Sequence, residues 1–318
     1  MPEHDVAQRI VIVGAGAMGC LFAARLALAG NDVTLVDIDQ ARIATINERG
    51  LVLKDEAGTR PVALRAATAD AVSGPVDLVI VFTKGNHTAA AISSVAHLAV
   101  GAPLALSLQN GLGNAEIIAE TFGTERTLFG TAHIPADLSP PNVVSTHAPN
   151  SLALGGSGEV ATAHARDVAA LLANAGFEAS ASGDIRRTVW EKLAFNAALN
   201  APAMIAQKTN GGLDNAPGLR IARGVISEAV AVAQSQGIAL DAVKIDAAVC
   251  SALKDHAGHK ASMFQDREAG RKSEIAMING AIVREGERAG IATPVCSTLA
   301  DLVHLIEDQP APARKDGV

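Results

Sequence analysis

Within the segment Trp190 to Asn200 (WEKLAFNAALN), Lys192, Asn196 and Asn200 are spaced by four, so on a helix they share one face. Leu193, Ala197 and Leu199 flank that row with apolar surface. Polar groups buried in such surroundings need partners, and a bound polar ligand would supply them. The alternative for Lys192 is an exposed helical lysine in an i,i+4 pair. A second chemical signal is Gly14-Ala15-Gly16-Ala17-Met18-Gly19, which has the spacing G-x-G-x-x-G. Gly14 permits a tight turn, Gly16 lets backbone approach a pyrophosphate, and Gly19 lets the following helix pack closely. The helix N-terminus then offers N–H groups and partial positive charge to phosphate. The whole run, with Ala15, Ala17 and Met18, is the expected cofactor-binding turn. Its alternative is a glycine turn that serves packing only.

The elements around this turn strengthen it. Arg9 to Val13 reads as a buried strand, Cys20 to Ala29 as a helix ended by Gly30-Asn31, and Asp32 to Asp37 as a second strand, which together make a βαβ unit. Asp37 closes the second strand, where an acid accepts hydrogen bonds from ribose hydroxyls and repels an added phosphate. Asp37-Ile38-Asp39 is doubly acidic and the nearest arginine is Arg42. The expected cofactor is therefore NAD(P)H, with NADH favoured over NADPH. If Asp37 has no such role, it is a solvated strand end.

Further strands are expected at 78–82 and 104–108, with a helix at 86–98. Lys84 and Asn110 follow those two strands, at carboxyl ends where doubly wound sheets bind ligands. Their alternatives are a solvated loop lysine and a plain Asn-Gly turn. From Asp184 onward the pattern is almost wholly helical, with helices at 186–205, 219–236, 241–255, 262–288 and 294–307. The expected fold class is an α/β N-terminal Rossmann-type doubly wound parallel sheet (1–183) followed by an all-α C-terminal domain (184–308). The last ten residues, 309–318, read as a frayed polar tail.

The 318 residues suit two domains, and 49% hydrophobic content fills two cores. With aromatics at 3% and no tyrosine, those cores must be built from Ala, Val, Leu and Ile. A net charge of −7 with scattered basic residues argues against nucleic acid. No apolar run is long enough to span a membrane, and Cys20, Cys250 and Cys296 form no CxxC pair. A cytoplasmic protein, monomer or homodimer, without metal or disulfide is expected.

The chain resembles the ketopantoate reductase family. The resemblance runs over about residues 9–305 and rests on ordered motifs: GAGAMG at 14–19, Thr83-Lys84, QNGLG at 109–113 and Asp184-Ile185. It continues through WEKL at 190–193 with Asn196 and Asn200, then Asn210-Gly211 and SMFQD at 262–266. GRKSEI at 270–275, ING at 278–280 and GIATP at 290–294 complete it. The resemblance implies hydride transfer to C2 of 2-dehydropantoate, giving (R)-pantoate. It implies Lys192 as general acid and Glu274 as a partner that holds the substrate hydroxyl and favours the ammonium. It implies Asn110, Asn196, Asn200, Asn210 and Ser262 as substrate contacts, with Asn110 also touching the cofactor, and Lys84 near cofactor phosphate or ribose. The substrate would lie against the Lys192 helix. Glu274 would otherwise be a surface acid paired with Arg271 or Lys272.

One departure stands out. NADP-using members are expected to carry a basic residue just after the second strand, where this chain has Asp37-Ile38-Asp39. Some relatives use NAD and reduce other branched 2-oxo acids, so an NAD-dependent (R)-2-hydroxy acid dehydrogenase for branched or aryl acids is the alternative. A non-catalytic dinucleotide sensor is the alternative of another class. Asp255, His256 and His259 lack a fixed third metal ligand and read as a solvated helix end. Arg267 and Arg271 read as a salt-bridging face.

Overall fold

The computed structural model describes residues 7–148 and 150–308. The expected tail at 309–318 lies outside them. Two compact units emerge, one of the described residues up to Gln109 together with Asn114–Ile185, the other of Asn110–Gly113 with the described residues from Arg186 on. The segment Asn110–Gly113, expected in the first domain, thus clusters with the second.

In the first unit the chain runs β1 (Arg9–Val13), α1 (Ala17–Leu28), β2 (Asp32–Val36), α2 (Gln40–Arg49), β3 (Leu51–Asp55), β4 (Gly58–Val62), β5 (Arg65–Ala67), β6 (Leu78–Val81) and α3 (Thr88–Ser94). It continues through β7 (Leu104–Ser107), α4 (Asn114–Phe122), β8 (Thr127–His133), β9 (Ala136–Ser139), β10 (Val143–Thr146), β11 (Ser151–Gly156), α5 (Gly158–Asn174) and β12 (Glu178–Ala181). An eight-stranded sheet has the order β12-β11-β8-β7-β6-β1-β2-β5. All its pairings are parallel except β8 with β11. The sheet is buried on both faces: Ile10 and Ile12 of β1 join one core with Leu21, Phe22 and Leu35. Val11 and Val13 join the opposite core with Val79, Val81 and Ile92. That two-sided burial is why the strand sequences are continuous apolar runs.

Two elements of this unit depart from expectation. The helix expected at 86–98 is only α3, flanked by 3₁₀ turns at Gly85–His87 and Ala96–Gly101. A second sheet, β4-β3-β10-β9, packs against α1 and was not read from sequence.

The second unit contains α6 (Ile185–Ala206), α7 (Ala216–Ser235), α8 (Ala242–Asp255), α9 (Ser262–Glu268), α10 (Asn279–Ala289) and α11 (Pro294–Glu307). Trp190, Leu193, Ala194, Ala197, Ala198, Ala201 and Met204 of α6 are buried, so several faces of this helix meet protein. The single helix expected over 262–288 is broken. Gly270, at φ +67°, ends α9 in the left-handed conformation, and the Arg271 N–H donates back to the Asp266 carbonyl at 2.8 Å. The Arg271 guanidinium binds the buried Asp266 carboxylate at 3.0 Å, which stabilises the turn. The chain then runs irregularly through Glu274 and a 3₁₀ turn, Ile275–Met277, before α10 begins. This break fixes where Glu274 stands.

Candidate active site

At the carboxyl end of β1 each glycine of the turn meets a separate requirement. Gly14 has φ +106°, and a Cβ there would stand 2.8 Å from the Thr83 amide nitrogen. A Cβ on Gly19 would stand 1.9 Å from the Gly14 carbonyl oxygen, so α1 closes on the turn only without a side chain. A Cβ on Gly16 would meet nothing within 4 Å: its outer side is open space. That opening lies at the N-terminus of α1, where Gly16 is the N-cap and no side chain caps the helix. Half-buried Ala17 and Met18 begin α1 beside the opening, while Ala15 is buried. A turn closed inward and open outward at an uncapped helix end fits a dinucleotide pyrophosphate.

Asp37 and Arg42 hold the same turn from the side of β2 and α2. One Asp37 oxygen accepts the Ala15 N–H at 2.7 Å, and the other accepts the N–H groups of Ile38 and Asp39 at 2.8 and 3.0 Å. Arg42 Nη1 donates to the Ala15 carbonyl at 2.6 Å. Beneath it, the buried Cys20 thiol donates to the same carbonyl at 3.4 Å, and burial pushes its pKa up to about 12.

At the carboxyl ends of β6 and β7, Gln109 organises a polar cluster. Its Nε2 donates to the Thr83 carbonyl at 2.7 Å and to Thr88 Oγ1 at 2.8 Å, and its Oε1 accepts from Ser107 Oγ at 2.9 Å. Thr88 in turn donates to the buried Asn114 at 2.8 Å. The cluster fixes the strand-end loop in which Lys84, half-buried, precedes a 3₁₀ turn.

In the second unit the row on α6 is half-buried at Lys192 and Asn196 and buried at Asn200. Lys192 is thus not an exposed helical lysine. Burial lowers its pKa from the ordinary 10.5 to about 8, with the Glu274 carboxylate acting against that fall. Glu274 is itself buried. It is not the surface partner of Arg271, which binds Asp266 instead. An amine poised near neutral pH beside a buried carboxylate is suited to proton transfer.

The other polar residues hold the frame. Asn200 Nδ2 donates to the Asn196 carbonyl at 3.0 Å, while its Oδ1 accepts from Ser262 Oγ at 2.9 Å and from the Met263 N–H at 3.3 Å. Asn200 therefore caps α9, whose own N-cap, Ala261, supplies no side-chain bond. Ser262 is exposed and bound to Asn200. Asn210 is buried; its Nδ2 donates to the Ala252 carbonyl at 3.3 Å, and its Oδ1 has no partner in the structure. Asn110 is half-buried in a loop that clusters with this unit, where the Leu112 N–H donates to the Met277 carbonyl at 3.0 Å. A Cβ on Gly111, at φ +88°, would collide with that same carbonyl. So Lys192 and Glu274 come together, Asn196, Asn200 and Ser262 form one chain of contacts, and Gly14 to Gly19 converge with Asp37. No group of three or more His, Cys, Asp or Glu able to hold a metal occurs among the described residues, and none of their helices is long and apolar enough to cross a membrane.

The family described as ketopantoate reductase PanE/ApbA matches residues 10–159, and its C-terminal family matches residues 184–307. A 2-dehydropantoate 2-reductase of Halobacterium salinarum is 33% identical over 94% of this chain and 99% of its own length. The chain belongs to the ketopantoate reductase family. Among solved structures, a D-mandelate dehydrogenase in ternary complex with NADH and anilino(oxo)acetate is 30% identical with a TM-score of 0.90, covering 94% of this chain and 98% of that one. A ketopantoate reductase of Ralstonia eutropha JMP134 is 31% identical with a TM-score of 0.85, covering 94% and 98%.

Membership of the ketopantoate reductase family makes this chain an oxidoreductase with nicotinamide dinucleotide chemistry. Three contributors had no role assigned from sequence: Gln109, Arg42 and Asp266. Gln109 directly follows the β7 region, so its place at a strand carboxyl end was the available signal. Arg42 stood out only as the arginine nearest Asp37, and Asp266 only within the SMFQD motif, because their partners, a backbone carbonyl 27 residues away and an arginine beyond a chain reversal, exist only after folding.

Proposed function

We propose that this chain is a 2-dehydropantoate 2-reductase that reduces the keto group of ketopantoate to the (R)-alcohol with Lys192 as general acid. The single observation that carries the reading is the half-buried Lys192 amine, with its pKa brought down to about 8 beside the buried Glu274 carboxylate. The turn from Gly14 to Gly19 binds the pyrophosphate, Asp37 the adenosine ribose, and Lys84 and Asn110 further parts of the cofactor. The nicotinamide, when bound, supplies the hydride. Lys192 donates its proton to the oxygen as C2 becomes tetrahedral, so that the alkoxide charge is neutralised where it develops. Glu274 keeps Lys192 protonated before the step and accepts a hydrogen bond from the substrate hydroxyl. Asn110, Asn196, Asn200, Asn210 and Ser262 bind the substrate's carboxylate and hydroxyl oxygens.

Asp37 favours a second reading on substrate and cofactor, that of an NADH-dependent (R)-2-hydroxy acid dehydrogenase for branched or aryl 2-oxo acids. A carboxylate at the end of β2 suits unphosphorylated ribose, and the D-mandelate dehydrogenase described above carries NADH. A panel of 2-oxo acids assayed with NADH and with NADPH separates the two. Ketopantoate turnover supports the first reading. Failure of ketopantoate with turnover of 2-oxoisocaproate or phenylglyoxylate selects the second. Cofactor binding without turnover on any 2-oxo acid would remove both and leave a sensor. Lys192→Ala is expected to lower kcat by about 10²-fold or more with cofactor binding kept; near-normal turnover in that variant refutes the acid role.

A further inference from the structure

Ser273 stands directly before Glu274 and is 1% exposed, so its N–H is shut off from water and needs a protein acceptor. It donates to Glu307 Oε1 at 2.6 Å, across 34 residues of chain. Glu307 is the last residue of α11. On local grounds a carboxylate is disfavoured there, because the carboxyl end of a helix carries partial negative charge. Its use is tertiary: a charged acceptor makes a shorter and stronger bond to an amide than a neutral one does. The Ser273 side chain completes the hold, since its Oγ accepts the Ile275 N–H at 3.3 Å and so spans Glu274. On the far side the Glu274 carbonyl accepts the N–H groups of Met277 at 2.9 Å and Ile278 at 3.1 Å. These bonds fix the backbone from which the Glu274 side chain starts, and the Glu307 bond among them comes from another helix. That helix is anchored in the core that also holds α6: Leu299, Ala300 and Val303 of α11 join Leu193, Ala194 and Ala197. Glu307 therefore ties the Glu274 loop to the packed layer that carries Lys192.

We propose that Glu307 is a positioning residue for the reduction: by holding the Ser273 N–H it sets the Glu274 carboxylate against the Lys192 amine. This rests on the reading of Lys192 and Glu274 as the proton-transfer pair. Glu307 acts through Ser273, as an acceptor in a fixed place. Without an acceptor the Ser273 N–H is buried and unsatisfied, and the loop must shift to bring it to water or to another oxygen. That shift carries Glu274 away from the amine. The charge that opposes the effect of burial on Lys192 is that of Glu274, so the amine reports where the carboxylate stands. An amide oxygen at position 307 can do the same task more weakly; a methyl group cannot.

The test measures the pH profile of kcat/KM for a 2-oxo acid that the full chain turns over, at saturating NADH, together with NADH binding and the melting temperature. Glu307→Ala is expected to lower kcat/KM at pH 7.5 by about 10-fold or more, and to start the alkaline fall of the profile at least about half a pH unit lower, with NADH binding kept within about 2-fold. Glu307→Gln retains an acceptor and is expected to recover most of the rate and the native break. Val303→Ala removes core volume from the same helix, so it is expected to lower the melting temperature and leave the break in place. Should Glu307→Ala not fold, Glu307→Asp, which falls short of Ser273 by one methylene, carries the same expectation at smaller size. A native break in Glu307→Ala overturns the proposal, whether or not its melting temperature falls, and leaves Glu307 as a support for α11. Glu307→Gln as damaging as Glu307→Ala also overturns it, because charge and not an acceptor would then be what matters. Glu274→Gln distinguishes the failure of the underlying reading: a native break in that variant removes the Lys192–Glu274 pair itself, whereas a moved break there beside a native one in Glu307→Ala removes only the role of Glu307.

Discussion

Replacing Glu274 with glutamine keeps the shape of the side chain and deletes its charge, so it tests the Lys192–Glu274 pair directly. In the native protein two opposed effects set the amine: burial disfavours the ammonium, and the Glu274 carboxylate favours it. Their balance leaves a pKa of about 8. An opposite charge within a few ångströms is worth about 1 to 3 pK units, so Glu274→Gln moves the amine acidward by at least about one. At pH 7.5 about three-quarters of the native amine is protonated, and in the variant about one-quarter or less. If turnover requires the ammonium, kcat/KM at pH 7.5 falls at least about 3-fold from ionisation alone. The assay is kcat/KM for the 2-oxo acid at saturating NADH from pH 6 to 9.5. The native profile should fall above about 8, and the variant's fall should begin at lower pH. Loss of a substrate contact would instead lower the whole profile without moving its break. The reasoning fails if Glu274→Gln and native protein share one break, however different their plateaus.

The glycines of the turn separate stability from binding. Gly19→Ala forces a Cβ to 1.9 Å from the Gly14 carbonyl, so a lower melting temperature and loss of NADH binding are expected. Gly16→Ala meets open space, so its melting temperature should stay within a degree or two while NADH binding weakens several-fold; a marked drop in stability would contradict the open cradle. Asn200→Ala removes the cap of α9 and should cost about 1–2 kcal/mol in urea unfolding, as read from the midpoint; an unchanged midpoint would show that the cap contributes nothing. Burial raises the thiol pKa of Cys20 and Cys296, whereas Cys250 is only partly covered, so a disulfide reagent should titrate one thiol in native protein and three in denaturant.

The sequence by itself determined the elements whose information is local. The turn from Gly14 to Gly19 is specified by glycine spacing between a β-branched strand and a helix: Gly19 closes on the Gly14 carbonyl within the turn and Gly14 takes a positive φ, although the Thr83 backbone that also crowds Gly14 comes from the end of β6. The strands β1, β2, β6 and β7 were legible because a parallel sheet buried on both faces demands continuous apolar runs. The row of Lys192, Asn196 and Asn200 followed from helical periodicity alone.

Tertiary structure decided what depends on distant partners. The second sheet pairs β3 with β10 across roughly 90 residues, and its short, half-polar strands carry no periodic signal that outweighs a loop. The break after α9 came from Gly270 and the Asp266–Arg271 pair, where apolar periodicity had suggested a continuous helix. Sequence marked Asn200 as a polar residue in need of a partner; only the fold made it the cap of another helix 62 residues away. The depressed pKa of Lys192 is of the same kind. A lysine's charge is cheap in water, and its cost appears only when other helices exclude the solvent around it.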